Sequence, residues 1–375
     1  MKIAFCNRKN YDNPLGGDGV QMHKTKYYLE QLYKVDILIL TCPDDLDESF
    51  DIVHIFNYLT INDTRPYFEK ATSLNLDIIS SSIYWDYKFS ATHIFSKLFG
   101  TPDFISEKRI SFQLKIINIL AFFTNRPIGV SPKLRKHCLY FINSSKYILP
   151  NSIEEGNKLL QFCGDKDGKN QDKIRVIYNA TDFNNENLQY DSYKNEAEFL
   201  LKYKIPSNYI LQVGRIEYIK NQLNLLYALK DYPQIPIVFV GKVLEKKYYE
   251  KLKKIADKRG NVFFIPNIEH IDIKYFYKYA KVHVLLSLRE SPGLVSLEAI
   301  SMNCPIVVSD ERFAPINTYF KNKAYITNPF DLNDILKNVM KANDDEKVKF
   351  EKNDFTWVKA AEQTYNVYLE CTNKK

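Results

Sequence analysis

Cysteine is sparse and scattered in this chain. The six residues stand at positions 6, 42, 138, 163, 304 and 371, with no C-x-x-C pair and no histidine cluster beside them. That spacing excludes the usual zinc modules and a disulfide framework. Scattered thiols in a long chain point to a reducing, cytosolic setting. Cys6 and Cys304 sit in or beside apolar runs and suit core packing better than nucleophilic work. Glycine is also scarce, at 12 residues, which rules out collagen-like and glycine-linker sequence. No apolar run approaches the ~18 residues needed to span a bilayer. The greasiest stretch, Ile116 to Phe123, is short and broken by Asn118. The run Met1 to Cys6 is too short for a signal peptide, and charge follows at Arg8 and Lys9. Blocks of five or six like charges are missing, as is any nucleic-acid readout motif, so nucleic-acid binding has no support.

What is present is ordinary globular material. The chain has 375 residues, 45% hydrophobic and 26% charged, and its length suggests about two to three domains. The net charge of +7 is mild. It suits an anionic ligand, a negative membrane surface or plain solubility.

Short apolar runs alternate with amphipathic segments, twice over. The first series of strands is expected at Lys2–Phe5, Val35–Leu40, Asp51–Phe56, Asp77–Ser80, Pro127–Val130, Tyr147–Leu149 and Ile174–Tyr178. Helix-start chemistry follows two of them, in Ser131-Pro132 and in Asn151-Ser152 with Glu155 three residues on. The stretch from Phe183 to Lys204 is polar and reads as a connection. A second series is expected at Tyr209–Val213, Ile237–Val240, Val262–Ile265, Val282–Leu286, Pro305–Ser309 and Ala324–Ile326, closed by a helix from Trp357 to Leu369. This pattern predicts an α/β protein of two Rossmann-like domains, each a mostly parallel sheet covered on both faces. Ligands in such sheets bind beyond the carboxyl ends of the strands.

Three loops at those ends carry chemistry. The stretch Arg289-Glu290-Ser291-Pro292-Gly293-Leu294-Val295-Ser296-Leu297-Glu298 runs from a strand into a helix near Leu294. A helix N-terminus suits a phosphate, and a carboxylate can accept hydrogen bonds from paired sugar hydroxyls. A solvated helix with two ordinary glutamates fits the same residues. Gly214-Arg215-Ile216-Glu217-Tyr218-Ile219-Lys220-Asn221 places two cations on one loop, where they could reach a diphosphate or simply face water. Asn13-Pro14-Leu15-Gly16-Gly17-Asp18-Gly19 holds three of the glycines in four residues. It is neither G-x-G-x-x-G nor a P-loop; a plain turn is the alternative.

In this order, a Gly-Gly loop, then Gly-Arg-x5-Lys-Asn, then Glu-x7-Glu, the set resembles the retaining glycosyltransferases of the GT-B fold, family 4. The resemblance covers nearly the whole chain. It includes Asp51 to Asn57, Arg175 to Asp182 and the closing helix at Trp357. It implies two Rossmann-like domains facing across a cleft: residues 1–183 on the acceptor side, with 357–375 crossing back, and 184–356 binding the nucleotide sugar. It implies that Arg215 and Lys220 hold the donor diphosphate and that Glu298 binds the ribose. Glu290 would bind the transferred sugar, beside the backbone of Gly293, Leu294 and Val295. Gly17 would approach the diphosphate from the first domain, and Pro266 and Asn267 would border the base. Catalysis would rest on Glu290, Arg215 and Lys220, with no cofactor and no metal. The partners implied are a nucleotide diphosphate sugar and a glycan or lipid-linked acceptor in capsule or lipopolysaccharide synthesis, in the cytoplasm or at the inner face of the membrane. A nucleotide-sugar epimerase of the same fold, or a non-catalytic scaffold, are the alternatives.

Two departures stand out. Where many relatives carry a histidine, this chain reads Ser80-Ser81-Ser82-Ile83-Tyr84-Trp85-Asp86-Tyr87. Tyr84, Trp85 and Asp86 are acceptor-side candidates, with packing as the competing role for the rings. His93 reads as a helix residue. The crossing segment has Tyr178 and Ala180 in place of the family's proline and glycine. Two D-x-D tripeptides, Asp45-Leu46-Asp47 and Asp165-Lys166-Asp167, lie in polar runs and carry no metal argument. Ile105 to Phe123 reads as an amphipathic helix that either covers the sheet or lies on an anionic membrane.

Overall fold

The computed structural model describes residues 1–12, 16–86, 88–100, 104–123, 132–165, 167–183, 193–266, 268–345 and 355–372. The chain forms two compact units. The first comprises Met1–Trp85, Thr124–Ala180 and Asp354–Lys375; the second comprises Asp86–Phe123 and Thr181–Asn353.

The first unit holds a five-stranded sheet of β1 (Lys2–Cys6), β2 (Asp36–Leu40), β3 (Ile52–Phe56), β4 (Asp77–Ser81) and β5 (Tyr147–Ile148), in the order β2-β1-β3-β4-β5. Every pairing is parallel. Parallel strands are buried on both faces, and all five residues of β3 are buried. One face packs on the helices Ile61–Ser73, Pro132–Ser144 and Ile153–Cys163 through Phe68, Phe141 and Leu159. The other packs on the helices Gly17–Tyr33 and Trp357–Thr372 through Met22, Leu29, Trp357 and Tyr368. His54 ties this layer together: its Nδ1 lies 2.6 Å from the Tyr368 hydroxyl and its Nε2 2.9 Å from Ser81 Oγ. Burial holds the imidazole neutral, with its pKa lowered to about 3.

The second unit holds β6 (Ile210–Val213), β7 (Ile237–Val240), β8 (Val262–Ile265), β9 (Val282–Leu285), β10 (Ile306–Ser309) and β11 (Tyr325–Thr327), in the order β11-β10-β9-β6-β7-β8. These pairings are also parallel. The order turns back at β6, which has β7 on one side and β9 on the other. The loops leaving β6 and β9 therefore diverge and open a crevice at the carboxyl edge.

Two expectations meet a different structure. Ile174–Tyr178 is not a strand; it makes one bridge, Ile174 to Ile148, and runs on extended with Arg175 N and Ile177 N bonded to Ile148 O and Pro150 O at 2.9 and 3.0 Å. The helix after β1 begins at Gly17, where Gly16 supplies an extended N-cap and Asp18 an acidic first turn. Residues 86–123, counted with the first domain on sequence, pack with the second: Ile105 and Ile110 enter its core, and Ile105 exchanges backbone bonds with the Asn224 amide at 2.8 Å. The expected strand Pro127–Val130 lies outside the described residues. No described helix is long and apolar enough to cross a membrane.

Candidate donor site at the carboxyl ends of β6 and β9

The loop after β6 is shaped by two glycines in register. Gly214 has φ +145° and Gly241, leaving β7, has φ +142°. A Cβ on Gly241 would stand 2.3 Å from the Gly214 carbonyl oxygen. Only glycine allows the two exits to run this close. The chain then turns through Tyr218–Lys220 into the helix Gln222–Ala228, with Asn221 in the left-handed region at φ 54°. Buried amides fix this turn: Gln212 Nε2 donates to Lys220 O at 2.8 Å, and Gln222 Nε2 donates to Arg215 O at 2.9 Å.

The loop after β9 is tied to the first by Leu288 N donating to Ile219 O at 2.9 Å. Glu290 N donates to Phe313 O at 2.7 Å, which holds the loop from its other side. Gly293, at φ +93°, caps the helix Leu294–Ser301. A Cβ there would press on Leu285 at 3.3 Å and on Glu290 at 3.5 Å.

These loops bring Lys220 and Glu290 together. Lys220 Nζ lies 2.5 Å from Glu290 Oε1, and both side chains are largely buried, 15% and 13% exposed. Arg215 is paired as well, with its Nη2 2.9 Å from the buried Glu217 Oε1. Each cation of the loop thus has a carboxylate partner ready to exchange for a stronger anion.

Glu298 sits on the helix that Gly293 caps, four residues in from its start. Its Oε2 accepts a hydrogen bond from the Tyr277 hydroxyl at 2.8 Å. Burial pushes its pKa up from 4.5 to about 7, with Asp182 adding repulsion and the tyrosine bond opposing both. Such a carboxyl is under-solvated and short of donors, which is the state a pair of sugar hydroxyls would relieve. Below the site, His283 on β9 accepts from Val213 N through Nε2 at 3.4 Å. Burial, with Lys220 nearby, lowers its pKa to about 3, so the ring is neutral.

Among the residues expected at the donor, Arg215, Lys220, Glu290, Gly293, Leu294, Val295 and Glu298 all lie on these two loops and their following helices. Pro266 lies directly after β8 at the same edge; Asn267 lies outside the described residues. Gly17 opens the helix after β1 in the first unit, with Asp18 beside it held by Arg8 Nε at 2.9 Å; Asn13 to Leu15 lie outside the described residues. Tyr84 and Trp85 are buried in the first unit, at 2% and 1% exposure. Tyr84 stacks on Phe162, and Lys158 lies over the Trp85 ring. Packing accounts for both rings, and neither offers an open face. Asp86 caps the next turn by accepting from Lys88 N at 3.0 Å.

The chain holds features that the motifs alone did not point to. Glu155, fully buried, accepts from Tyr84 N at 2.9 Å, from Asn151 N at 3.2 Å and from the Ser82 hydroxyl. It fixes the loop after β4. Tyr277 has no sequence signal linking it to Glu298. Ser287 and Ser296, flanking the β9 loop, have buried hydroxyls without a partner among the described residues. Asp47 and Asp165, from the D-x-D tripeptides, serve turns: Asp47 accepts from Ser49 N at 2.8 Å, and Asp165 from Asn170 N at 2.8 Å. No group of three metal-ligating side chains occurs among the described residues.

Residues 195–362, which include every element of this site, match the family described as glycosyl transferases group 1. This stretch, a little under half of the chain, resembles the group 1 glycosyl transferases. An uncharacterized glycosyltransferase of Methanocaldococcus jannaschii is 28% identical over 220 residues, 53% of this chain and 54% of that protein. The O-antigen chain mannosyltransferase B of Escherichia coli is 24% identical over 184 residues, 45% of this chain and 48% of that protein. The matching region thus spans about half the length of these curated relatives. Among solved structures, sucrose-phosphate synthase from Thermosynechococcus elongatus superposes with a TM-score of 0.68 at 14% identity, covering 100% of both chains. At that identity the likeness establishes the fold, which is GT-B.

Proposed function

We propose that this protein is a retaining glycosyltransferase of the family 4 type. It moves a hexose from a nucleotide diphosphate sugar to a glycan or lipid-linked glycan during surface polysaccharide synthesis. The observation that carries this reading is the pairing of Lys220 with Glu290 at 2.5 Å, at the crevice where β6 and β9 part. A glycan-building role is supported by the resemblance to an O-antigen mannosyltransferase.

In this reading Lys220 and Arg215 take the diphosphate, releasing Glu290 and Glu217. Glu290 then turns its oxygens to the hydroxyls of the transferred sugar. The backbone N–H groups of Leu294 and Val295 stand at the helix start, where the helix field favours negative charge. Glu298 takes the ribose hydroxyls, and Pro266 borders the base. The acceptor hydroxyl attacks the anomeric carbon from the face the phosphate leaves, and the departing phosphate oxygen takes the proton. Fixed cations and backbone dipoles offset the charge that grows on that oxygen, so the reaction needs no metal.

The test is transfer in the presence of EDTA. The protein is mixed with a panel of nucleotide sugars and glycan acceptors, and product linkage is read by NMR. The reading expects an α-linked product from an α-linked donor, with nucleoside diphosphate released in step. A β-linked product overturns the retaining assignment. An epimer or free sugar formed equally without acceptor overturns the transferase assignment.

A further inference from the structure

A second basic site lies in the first unit, remote in sequence from the loops above. The helices Ile61–Ser73 and Pro132–Ser144 flank a cavity of about 510 Å³ lined by Arg65, Pro132, Lys133, Lys136, His137 and Tyr140. Four of these six are cationic or can become so. A cavity of this size is far larger than a water site and within the range of small-molecule pockets.

The charges are arranged rather than scattered. Arg65 Nη1 donates to His137 Nδ1 at 2.9 Å. An arginine cannot accept, so Nδ1 carries the lone pair and the neutral ring keeps its proton on Nε2. His137 therefore presents a donor while Arg65 is held in place. Burial first, then Arg65 and Lys133, hold the His137 pKa below its ordinary value, with Glu69 opposing them. The Arg65 guanidinium also lies 5.6 Å from the centre of the Tyr140 ring. Glu69 is the acidic partner here, 2.6 Å from Arg65 Nε, and it is exposed at 52%. The first turn of the Pro132–Ser144 helix has no acidic residue. Among the residues lining this concave space, three carry a permanent positive charge, none is acidic, and Tyr140 supplies an aromatic wall.

We propose that this cavity binds a phosphate group, held by Arg65, Lys133 and Lys136 with His137 donating from Nε2. Arginine and lysine side chains converging in a hollow match the multiple acceptor oxygens of a phosphate, and the Tyr140 ring suits the carbon body attached to it. The phosphate can belong to a soluble phosphorylated molecule or to a lipid headgroup. The site stands independently of the donor reading, since it uses no residue of that machinery.

The full chain, labelled with 13C histidine, is titrated from pH 5 to 8 with and without inorganic phosphate. Chloride keeps ionic strength equal, because a general salt effect would otherwise mimic binding. Bound phosphate should raise the His137 pKa by about one unit. In Lys136→Gln, where the substituted side chain is exposed, the half-saturating phosphate concentration should rise about threefold or more. A His137 titration unchanged by phosphate, or moved equally by chloride, overturns the proposal. Binding to phosphatidylglycerol vesicles that phosphate competes away assigns the headgroup as source. A phosphate shift without vesicle binding assigns a soluble ligand. Both support the site.

Discussion

Replacing Glu298 by glutamine should stabilise the protein while damaging its function. Among the described residues the carboxyl has one donor, the Tyr277 hydroxyl at 2.8 Å, and its pKa is pushed from 4.5 to about 7 mainly by burial. The sign follows from proton binding. Between pH 4.5 and 7 the folded state keeps a proton that the unfolded state has lost, so stability falls as pH rises through that window. The full shift corresponds to about 3 kcal/mol. Glu298 keeps a partly exposed edge, which lets solvent offset some of this, so a cost of about 1–3 kcal/mol is expected above pH 7. Glutamine cannot ionise, and its carbonyl still accepts from Tyr277. The variant should match wild type near pH 4.5 and melt roughly 3–10 °C higher at pH 8, taking about 2–4 °C per kcal/mol. Nucleotide affinity should fall about ten- to hundredfold at pH 8, through loss of a charge-assisted bond to the ribose. The assay is a melting curve at half-unit pH steps for both proteins, with calorimetric binding at pH 8. A melting difference that does not change with pH refutes the buried-carboxylate argument. Unchanged nucleotide affinity refutes the ribose role.

Other substitutions test the scaffold. Gly241→Ala should cost about 2–4 kcal/mol in denaturant unfolding, because the added Cβ meets the Gly214 carbonyl at 2.3 Å and neither backbone can yield cheaply. Full retention of stability would mean the two strand exits are not held so close. Lys220→Ala should destabilise by about 2–4 kcal/mol, since it strands Glu290 at 13% exposure, and should abolish transfer; the double variant Lys220→Ala, Glu290→Gln should recover most of the stability and none of the activity. Tyr368→Phe should cost about 1–3 kcal/mol by unpairing the buried His54 Nδ1. In wild type, lowering pH from 6.5 to 5 should cost about 2 kcal/mol through His54 alone, whose folded pKa of about 3 lies below the unfolded value, so stability is lost as pH falls.

The fold was legible because its signals are local. Buried parallel strands read as short apolar runs, and the six strands of the second unit fall within a residue or so of their expected spans. The candidate site could be proposed where its residues sit on one loop: Arg215 and Lys220 are five residues apart, Glu290 and Glu298 eight. What sequence could not show was pairing across the fold. Nothing in the chain announces that Lys220 meets Glu290, seventy residues on, or that Tyr277 bonds Glu298. The same holds for Glu155, whose position three residues after Ser152 reads as a helix start. The Ser152 cap is there, with Glu155 N bonded to its hydroxyl at 2.9 Å, but the carboxylate reaches across to Tyr84 N. Segment 86–123 was misassigned because its apolar face suits either sheet, and contacts distant in sequence, such as Asn224 with Ile105 and Arg312 with Glu107, decide which one it joins.

The central claim is that the crevice between β6 and β9 holds a nucleoside diphosphate. It is tested most directly by thermal stabilisation with UDP, GDP, ADP and dTDP in EDTA, on wild type and on Arg215→Ala. The account predicts that one nucleotide, at about a hundred times its Kd, adds ~2.7 kcal/mol to the wild type, and that Arg215→Ala loses most of that gain. Stabilisation that appears only with a divalent metal, or that survives undiminished in Arg215→Ala, would contradict it.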